Sequence, residues 1–222
     1  MAAPEVLQPE AVEVVFGDDC LLVLNKPSGL LAVPGRGEDK QDCLSARVQA
    51  IYPDALVVHR LDMATSGLML MARGAHWQRV LSRAFEQREV HKRYEAAVHG
   101  DPGPSWQHGP KSEDGWGLID LPIAVDWPQR PRRVVAPSGQ ASQTRWHPMA
   151  EAGRVALEPV TGRTHQLRVH LQAIGHAILG DALYASPEVQ AMSSRLMLHA
   201  CELRLQHPAT GEWMCLRSVV PF

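Results

Sequence analysis

The chain has 222 residues, of which 45% are hydrophobic and 21% are charged, and its net charge is −2. These values are ordinary for a globular protein of one or two domains, and any basic surface must be local because the total charge is nearly balanced. No stretch approaches the roughly 20 consecutive apolar residues that a membrane-spanning helix needs, so we expect no membrane association.

The cysteines and the N-terminus indicate the compartment. Cys20, Cys43, Cys201 and Cys215 form no CxxC pair of the kind that binds metal, and buried free thiols are the simplest interpretation. The first residues lack a basic segment followed by a long apolar run, which a signal peptide would have. We therefore expect a reducing, cytoplasmic location.

The first half of the chain predicts short strands and two helices. Residues 1–11 have the composition of a loose tail, and the rest is expected to form one domain, 12–222. The expected strands are 14–16, 21–24, 57–58, 67–72 and 93–99. The expected helices are 43–51, with Asp42 as its cap, and 75–86, whose apolar stripe contains Val80, Leu81, Ala84 and Phe85.

The second half continues this mixture. Residues 101–117 hold several Gly and Pro residues and predict a long loop. The expected strands are 118–123, 133–136, 143–147, 155–159, 196–205 and one more at the C-terminus, and the expected helices are 162–175, capped by Thr164, and 187–192. Many short strands with few helices predict an α+β fold on a mixed, mostly antiparallel sheet flanked by helices.

Positive charge is concentrated between residues 73 and 93. Six Arg and Lys residues stand there against Glu86 and Glu89, and a second cluster contains Arg130, Arg132 and Arg133. A solvated helix face with a loop explains this pattern, and so does a surface that contacts phosphates. Charge alone leaves both interpretations open.

Motifs for cofactors and metals are absent from the sequence. There is no GxxxxGK[ST], no GxGxxG after a strand, no GxSxG and no HExxH. His165 and His170 are five residues apart, about 140° around a helix, which is too far for a shared zinc ion. We therefore expect neither a cofactor nor a metal.

The stretch VHRLDMATSGLMLM, residues 58–71, places the carboxylate of Asp62 just before an apolar run. An ionised carboxylate is costly to bury without a partner. One interpretation is that Asp62 caps a turn by bonding to the backbone of Thr65 or Ser66. The other is that Asp62 is a nucleophile or general base, kept ionised by a nearby Arg, with Gly67 allowing a close approach.

Two more stretches carry candidate residues. In GRTHQLRVHL, Arg163 lies at the start of the expected helix and is expected to point inward, whereas Arg168 is expected on its solvated face. In KRYEA, Tyr94 is most simply a core aromatic of a strand. A buried Tyr beside an Asp and an Arg could also act as a general acid or base.

Together these strings resemble the RluA family of pseudouridine synthases over residues 12 to the C-terminus. The matching segments are LLVLNKPSGLLAVPGR at 21–36, HRLDMATSGL at 59–68, KRYEAAVHG at 92–100, GRTHQLRVHLQAIGHAILGDALYA at 162–185 and LMLHA at 196–200. IDLPIAVDWPQRP at 119–131 is similar to the RluA subfamily itself. His99 and Ala177 stand where related sequences often have other residues, but neither position is catalytic in the family.

The resemblance implies a reaction and its residues. Asp62 corresponds to the nucleophile that attacks the target uridine, and the family needs no cofactor or metal. Tyr94 is expected to stack on the uracil and to act as the base, Arg163 is expected to pair with Asp62, and Leu198 is expected to wall the uracil pocket. Lys26 matches the family's KP pair near the cleft, where a structural role competes with substrate binding.

The same resemblance implies contacts with RNA. A uridine stacked in RNA cannot reach a buried carboxylate, so the base must flip out at a cost of a few kcal/mol. Arg60 is expected to fill the gap by planar stacking and hydrogen bonding. His59, Thr65 and Arg168, which lie in the same motifs, complete the expected substrate contacts.

The subfamily narrows the substrate. Its members modify a tRNA anticodon stem-loop and a 23S rRNA loop, so tRNA, 23S rRNA or both are the expected partners. The first strand begins too early for an S4 RNA-binding domain, so we expect the catalytic domain, as a monomer, to hold the RNA alone. The alternatives are an inactive RNA-binding protein with the same fold and a hydrolase with an aspartate nucleophile, which would need Mg²⁺ and further carboxylates.

Overall fold

The computed structural model describes residues 12–102, 112 and 114–222. The expected tail, 1–11, and most of the expected loop 101–117 lie outside the described residues. The strands are β1 Glu13–Gly17, β2 Leu21–Lys26, β3 Ala55–Val57, β4 Ser66–Arg73, β5 His91–Ala97, β6 Gly117–Asp120, β7 Ile123–Val125, β8 Arg133–Val135, β9 Gln143–Pro148, β10 Arg154–Pro159, β11 Leu198–Gln206 and β12 Trp213–Arg217. The helices are α1 Leu44–Ile51, α2 Gly74–Glu86, α3 Gln166–Ala173 and α4 Pro187–Ala191.

Ten of the described strands form one mixed sheet in the order β1-β2-β4-β11-β5-β10-β9-β6, with β3 added to β4 and β12 added to β11. The pair β4–β11 is parallel, and its neighbours in the sheet are antiparallel. Strands β7 and β8 form a separate two-stranded sheet. The α+β class and the mostly antiparallel sheet are thereby confirmed.

The central strand β4 is buried on both faces, which explains its unbroken apolar sequence. Met69 and Met71 pack into one core cluster, and Leu68 and Leu70 pack into the cluster on the opposite face. Gly67, at the start of the strand, has φ of +110°, and a Cβ there would collide with the backbone of Ala200. The close approach expected at Gly67 is therefore an approach of β11, which brings Leu198 beside the residues that precede β4.

Two expected helix starts are wrong. Helix α1 begins after Cys43, and Asp42 forms an ion pair with Arg47 at 2.7 Å instead of capping the helix. Helix α3 begins after His165, whose backbone is left-handed at φ 57°, and not after Thr164. Val80, expected on the apolar stripe of α2, is 38% exposed.

Three of the four cysteines are buried and free, as expected, whereas Cys215 is exposed. In the part of the chain that the structure describes, no helix is both long and apolar enough to cross a lipid bilayer.

Candidate active site

Asp62 lies in the short connection between β3 and β4. The turn is closed by backbone atoms, since the amide of Thr65 donates to the carbonyl oxygen of Asp62 at 3.1 Å. The carboxylate itself accepts no hydrogen bond from any described residue and is 23% exposed. The interpretation of Asp62 as a side-chain cap of the turn is therefore wrong. The carboxylate remains available to react.

Arg168, not Arg163, is the arginine beside Asp62. Its Nη1 lies 3.9 Å from Oδ2 of Asp62, while its Nε and Nη2 donate to Asp181 at 2.8 and 2.7 Å. Arg168 is 4% exposed, so the expectation of a solvated helix face is wrong. Arg163 is exposed and donates from Nε to the carbonyl of Ala141, so the expected ion pair with Asp62 is also wrong.

The reason is the late start of α3. Because the helix begins at Gln166, Arg163 belongs to the preceding loop at the edge of the cavity, and Arg168 lies inside the helix. The described residues 166–171 of this helix are all buried, so it has no solvated face along that stretch. Asp181 is 1% exposed and gives the buried guanidinium the bidentate partner that such a charge requires.

His165 is an active-site residue that the sequence analysis missed. There, His165 was considered only as a possible zinc ligand. The amide of Arg133 donates to the hydroxyl oxygen of Tyr184 at 2.8 Å, and that hydroxyl lies 2.7 Å from Nδ1 of His165. The Tyr184 hydroxyl therefore donates a hydrogen bond to Nδ1, and the imidazole proton is on Nε2, 3.9 Å from Oδ1 of Asp62. Burial lowers the pKa of His165, against the opposing charge of Asp62, and favours the neutral ring.

Tyr94 and Leu198 contribute buried side chains to the cavity that contains the carboxylate. Tyr94 is on β5 and pairs in register with Ala200, and Leu198 is on β11 and pairs with Ala96. Burial, followed by the charge of Asp62, raises the pKa of Tyr94, so its hydroxyl is protonated at neutral pH.

These residues line one cavity of about 990 Å³. Its cationic lining residues are Arg60, Arg88, Lys92, Arg93, Arg145, Arg163, Arg168 and Arg204. These eight cations outnumber the four acidic lining residues, Asp62, Glu86, Glu158 and Glu202, so the cavity suits a polyanion that inserts one of its bases.

A family model described as RNA pseudouridylate synthase matches residues 20–173. The chain belongs to the RNA pseudouridylate synthase family. It is 46% identical, over 94% of its own length and 93% of the relative's, to the dual-specificity RNA pseudouridine synthase RluA of Escherichia coli K12. It is 45% identical to the protein of that name from Yersinia pestis, with 94% and 99% covered. The sheet architecture matches human RNA pseudouridylate synthase domain containing 1, with a TM-score of 0.74, 26% identity, and 98% and 87% coverage.

Membership of this family confirms the enzyme class, an isomerase that forms pseudouridine in RNA. The alternative of an inactive RNA-binding protein gains no support, because Asp62, Tyr94 and Leu198 all meet in one cavity. The hydrolase alternative is excluded by the same family membership.

His59 and Thr65 line the cavity, and both also make contacts that hold its surrounding structure together. Nε2 of His59 accepts the amide proton of Leu70 at 2.9 Å, and the ring stacks on Phe85 with centroids 4.4 Å apart. Burial lowers the pKa of His59 to about 3, so the ring is neutral. Thr65 is 3% exposed and closes the Asp62 turn. Their expected contact with substrate stays a prediction.

Lys26 lies behind the Asp62 connection and not on the cavity. Its ammonium donates to the carbonyls of Pro27, Leu30 and Met63 at 2.8, 2.7 and 2.9 Å. All three of its protons are therefore used within the protein, which supports the structural role. Burial lowers the pKa of Lys26 to about 7, against the opposing charge of Asp62.

One group of described residues has the spacing of metal ligands, and it lies away from the cavity. It consists of Asp18, Cys20 and His207. Nδ1 of His207 accepts backbone amide protons from Ala209 and Thr210, so the ring proton is on Nε2, 2.7 Å from Asp18. The polar atoms of Asp18 and His207 therefore already have hydrogen-bond partners within the protein.

Proposed function

We propose that this pseudouridine synthase acts on specific uridines in two kinds of structured RNA, a tRNA anticodon stem-loop and a 23S rRNA loop. The support is the match, across nearly the whole chain, to relatives named as dual-specificity enzymes. We also propose that residues 12–222 act as one catalytic domain, as a cytoplasmic monomer.

Asp62 is proposed as the nucleophile. The observation that carries this assignment is the half-buried carboxylate, free of hydrogen bonds from the described residues, beside cationic Arg168 in the cavity that Tyr94 and Leu198 also line. The charge of Arg168 stabilises the carboxylate electrostatically in this partly desolvated place. Because Arg168 is held by Asp181, its position does not depend on substrate.

Tyr94 and Leu198 are proposed to hold the flipped uracil. The ring of Tyr94 offers a stacking surface, and Leu198 closes the pocket at its side. In the isomerisation the N1–C1′ bond breaks and a C5–C1′ bond forms, so C5 loses a proton and N1 gains one. The phenolate of Tyr94, formed when its hydroxyl gives a proton to solvent, is the proposed acceptor of the C5 proton, and N1 takes its proton from solvent.

Arg60 is proposed to take the place of the flipped base. It is exposed at the edge of the cavity, two residues before Asp62, where its planar guanidinium can stack on neighbouring bases. Arg163, also exposed on this edge, is proposed to contact the RNA close to the reacting nucleotide. An Arg60→Ala variant that bound RNA and formed product at the wild-type rate would remove the first of these roles.

The dual specificity is tested by mapping pseudouridine in tRNA and 23S rRNA transcripts after incubation with the purified protein. Modification of both RNAs at defined uridines is the expected result. Modification of one RNA alone would reduce the proposal to a single-substrate enzyme. Modification of neither RNA, with activity on another RNA, would contradict the proposed substrates while leaving the enzyme class intact.

A further inference from the structure

A second exposed surface adjoins the active-site cavity. We call it the α2 face and define it by Arg79, Arg83, Arg88, His91, Arg204 and Trp213. All six residues are exposed. Arg88 and His91 line both the active-site cavity and the neighbouring hollow against α2, so the two are continuous.

The cations of the α2 face are not paired with carboxylates. Among the described residues, Arg79, Arg83, Arg88 and Arg204 form no ion pair within 4.0 Å, whereas Arg47, Arg73, Arg145 and Arg217 all do. The hollow against α2 is lined by Arg79, Arg83 and Arg88 and by one carboxylate, that of Glu89, so these unpaired arginines leave a local positive potential. Such a potential attracts phosphates and releases their counterions.

Trp213 gives the same face an aromatic surface. Its side chain is 58% exposed at the start of β12, whereas Trp146 is 1% exposed in the core. The ring of His91 lies 6.1 Å from its ring, and the guanidinium of Arg204 lies 6.0 Å away. An exposed indole beside an arginine and a second aromatic ring is the kind of surface on which single-stranded nucleic acids stack their bases.

The backbone of Arg88 is left-handed, with φ of 62°. It follows the end of α2, where the amide of Glu89 donates to Ala84 and closes the helix terminus. Glycine or asparagine is favoured at such a position, because a Cβ atom strains this conformation and the short polar side chain of asparagine offsets the strain by local hydrogen bonding. A strained arginine at the border between the cavity and the α2 face points to a functional use of its side chain.

We propose that the α2 face is a second RNA-contact surface, which binds an unpaired segment continuing from the target nucleotide. On this assignment the arginines contact phosphates and Trp213 stacks on one base. His91 precedes Tyr94 by three residues on β5, about 10 Å at the usual strand rise, so the segment begins within a few nucleotides of the flipped uridine. The inference rests on the proposed action on RNA.

The test measures binding of a labelled oligoadenylate of about 20 nucleotides, which covers a typical single-strand site. This probe contains no uridine, so its binding does not depend on the identity of the modified RNA or on catalysis. The variants are Arg79→Gln/Arg83→Gln and Trp213→Ala. Arg36→Gln/Lys40→Gln, which removes the same charge from an exposed loop that lines neither the active-site cavity nor the hollow against α2, is the matched control.

The arginine double variant is expected to weaken binding and to reduce the slope of log K against log salt by about 1.4, or 0.7 per lost contact with a single strand. Trp213→Ala is expected to weaken binding about 5- to 150-fold, the range for one stacked base. Wild-type binding in both variants, or an equal loss in the Arg36→Gln/Lys40→Gln control, would overturn the proposal. A further possible result is that the arginine double variant loses affinity equally for double-stranded DNA while Trp213→Ala loses none. That result would overturn the proposal in favour of non-specific polyanion binding.

Discussion

Nη1 of Arg168 lies 3.9 Å from Oδ2 of Asp62, although these residues are 106 positions apart in the chain. The guanidinium is oriented by Asp181, with which it forms two hydrogen bonds in the protein interior. Arg168 therefore links a buried structural carboxylate to the proposed reactive one. A change at Arg168 should affect both stability and reaction.

We predict that Arg168→Lys lowers kcat by about 10- to 100-fold, since a charge remains but the fork that orients it is lost. Arg163→Gln should leave kcat within a few-fold of wild type, because Arg163 is exposed and bonded to Ala141. Steady-state kinetics on a tRNA transcript compare the two. Arg163→Gln showing the larger loss of kcat would contradict the assignment of Arg168.

The stability of the Arg168 variants separates the two roles. Arg168→Gln leaves the buried Asp181 charge without its partner and should cost about 3–5 kcal/mol of unfolding free energy. Asp181→Asn should also destabilise the protein, because it removes the other half of the pair. Urea unfolding measures both. If Arg168→Gln unfolded like wild type, the pair would not be a structural support of the site.

Tyr94→Phe should bind RNA as wild type does and lose about 10²- to 10⁴-fold in turnover, the usual contribution of a general base. The stacking ring is kept and only the hydroxyl is removed. Because the raised pKa keeps this hydroxyl protonated at neutral pH, wild-type turnover should increase from about pH 7 to about pH 9. The residual activity of the variant should be flat over that range. If Tyr94→Phe turned over as fast as wild type, the hydroxyl would not be the base, and Tyr94 would contribute only its stacking ring.

His165→Asn should reduce kcat about tenfold with little change in KM, because misplacing a group beside the reacting atoms costs up to about 10²-fold. Asn accepts the left-handed backbone of this position, so the fold should be kept. Tyr184→Phe, which removes the hydroxyl that orients the ring, should give a smaller effect in the same direction. Full activity in both variants would show that the imidazole does not act on Asp62.

Lys26→Met should change the pH dependence of stability. The folded-state pKa of Lys26 is about 7, below its unfolded value, so between that pH and the unfolded pKa the unfolded chain binds the extra proton. The cost of burying the ammonium is therefore fully present below about pH 7 and disappears as the pH rises. Between about pH 6 and about pH 9, the unfolding free energy of wild type should increase by more than that of Lys26→Met. Urea unfolding of both proteins at the two pH values measures this difference. Parallel pH profiles would contradict the lowered pKa.

Much of the fold could be predicted because local pattern and final packing agree. The apolar run of β4 predicts a buried strand, and it is buried on both faces. The expected strands 14–16 and 21–24 form as β1 and β2, which pair antiparallel on either side of Gly17, Asp18 and Asp19. In these segments the same residues determine the local conformation and the burial.

The errors at the site arise where distant contacts decide the local structure. The left-handed backbone of His165 is accompanied by a hydrogen bond to Tyr184, 19 positions away, which no local pattern reveals. The start of α3 moves with it, and so does the choice between Arg163 and Arg168. The sequence contained one indication that Arg168 is buried. Asp181, in the Gly-Asp pair of the same matching segment, could serve as its partner, but their pairing depends on the packed structure.

The most direct test of the account is pseudouridine formation by wild type and by Asp62→Asn, with a chelator present, on tRNA and 23S rRNA transcripts. Asn keeps the size of the side chain but cannot act as a carboxylate nucleophile. The account predicts product from wild type and none from Asp62→Asn, with RNA binding retained. Product from Asp62→Asn at a rate comparable to wild type would contradict the central role of Asp62.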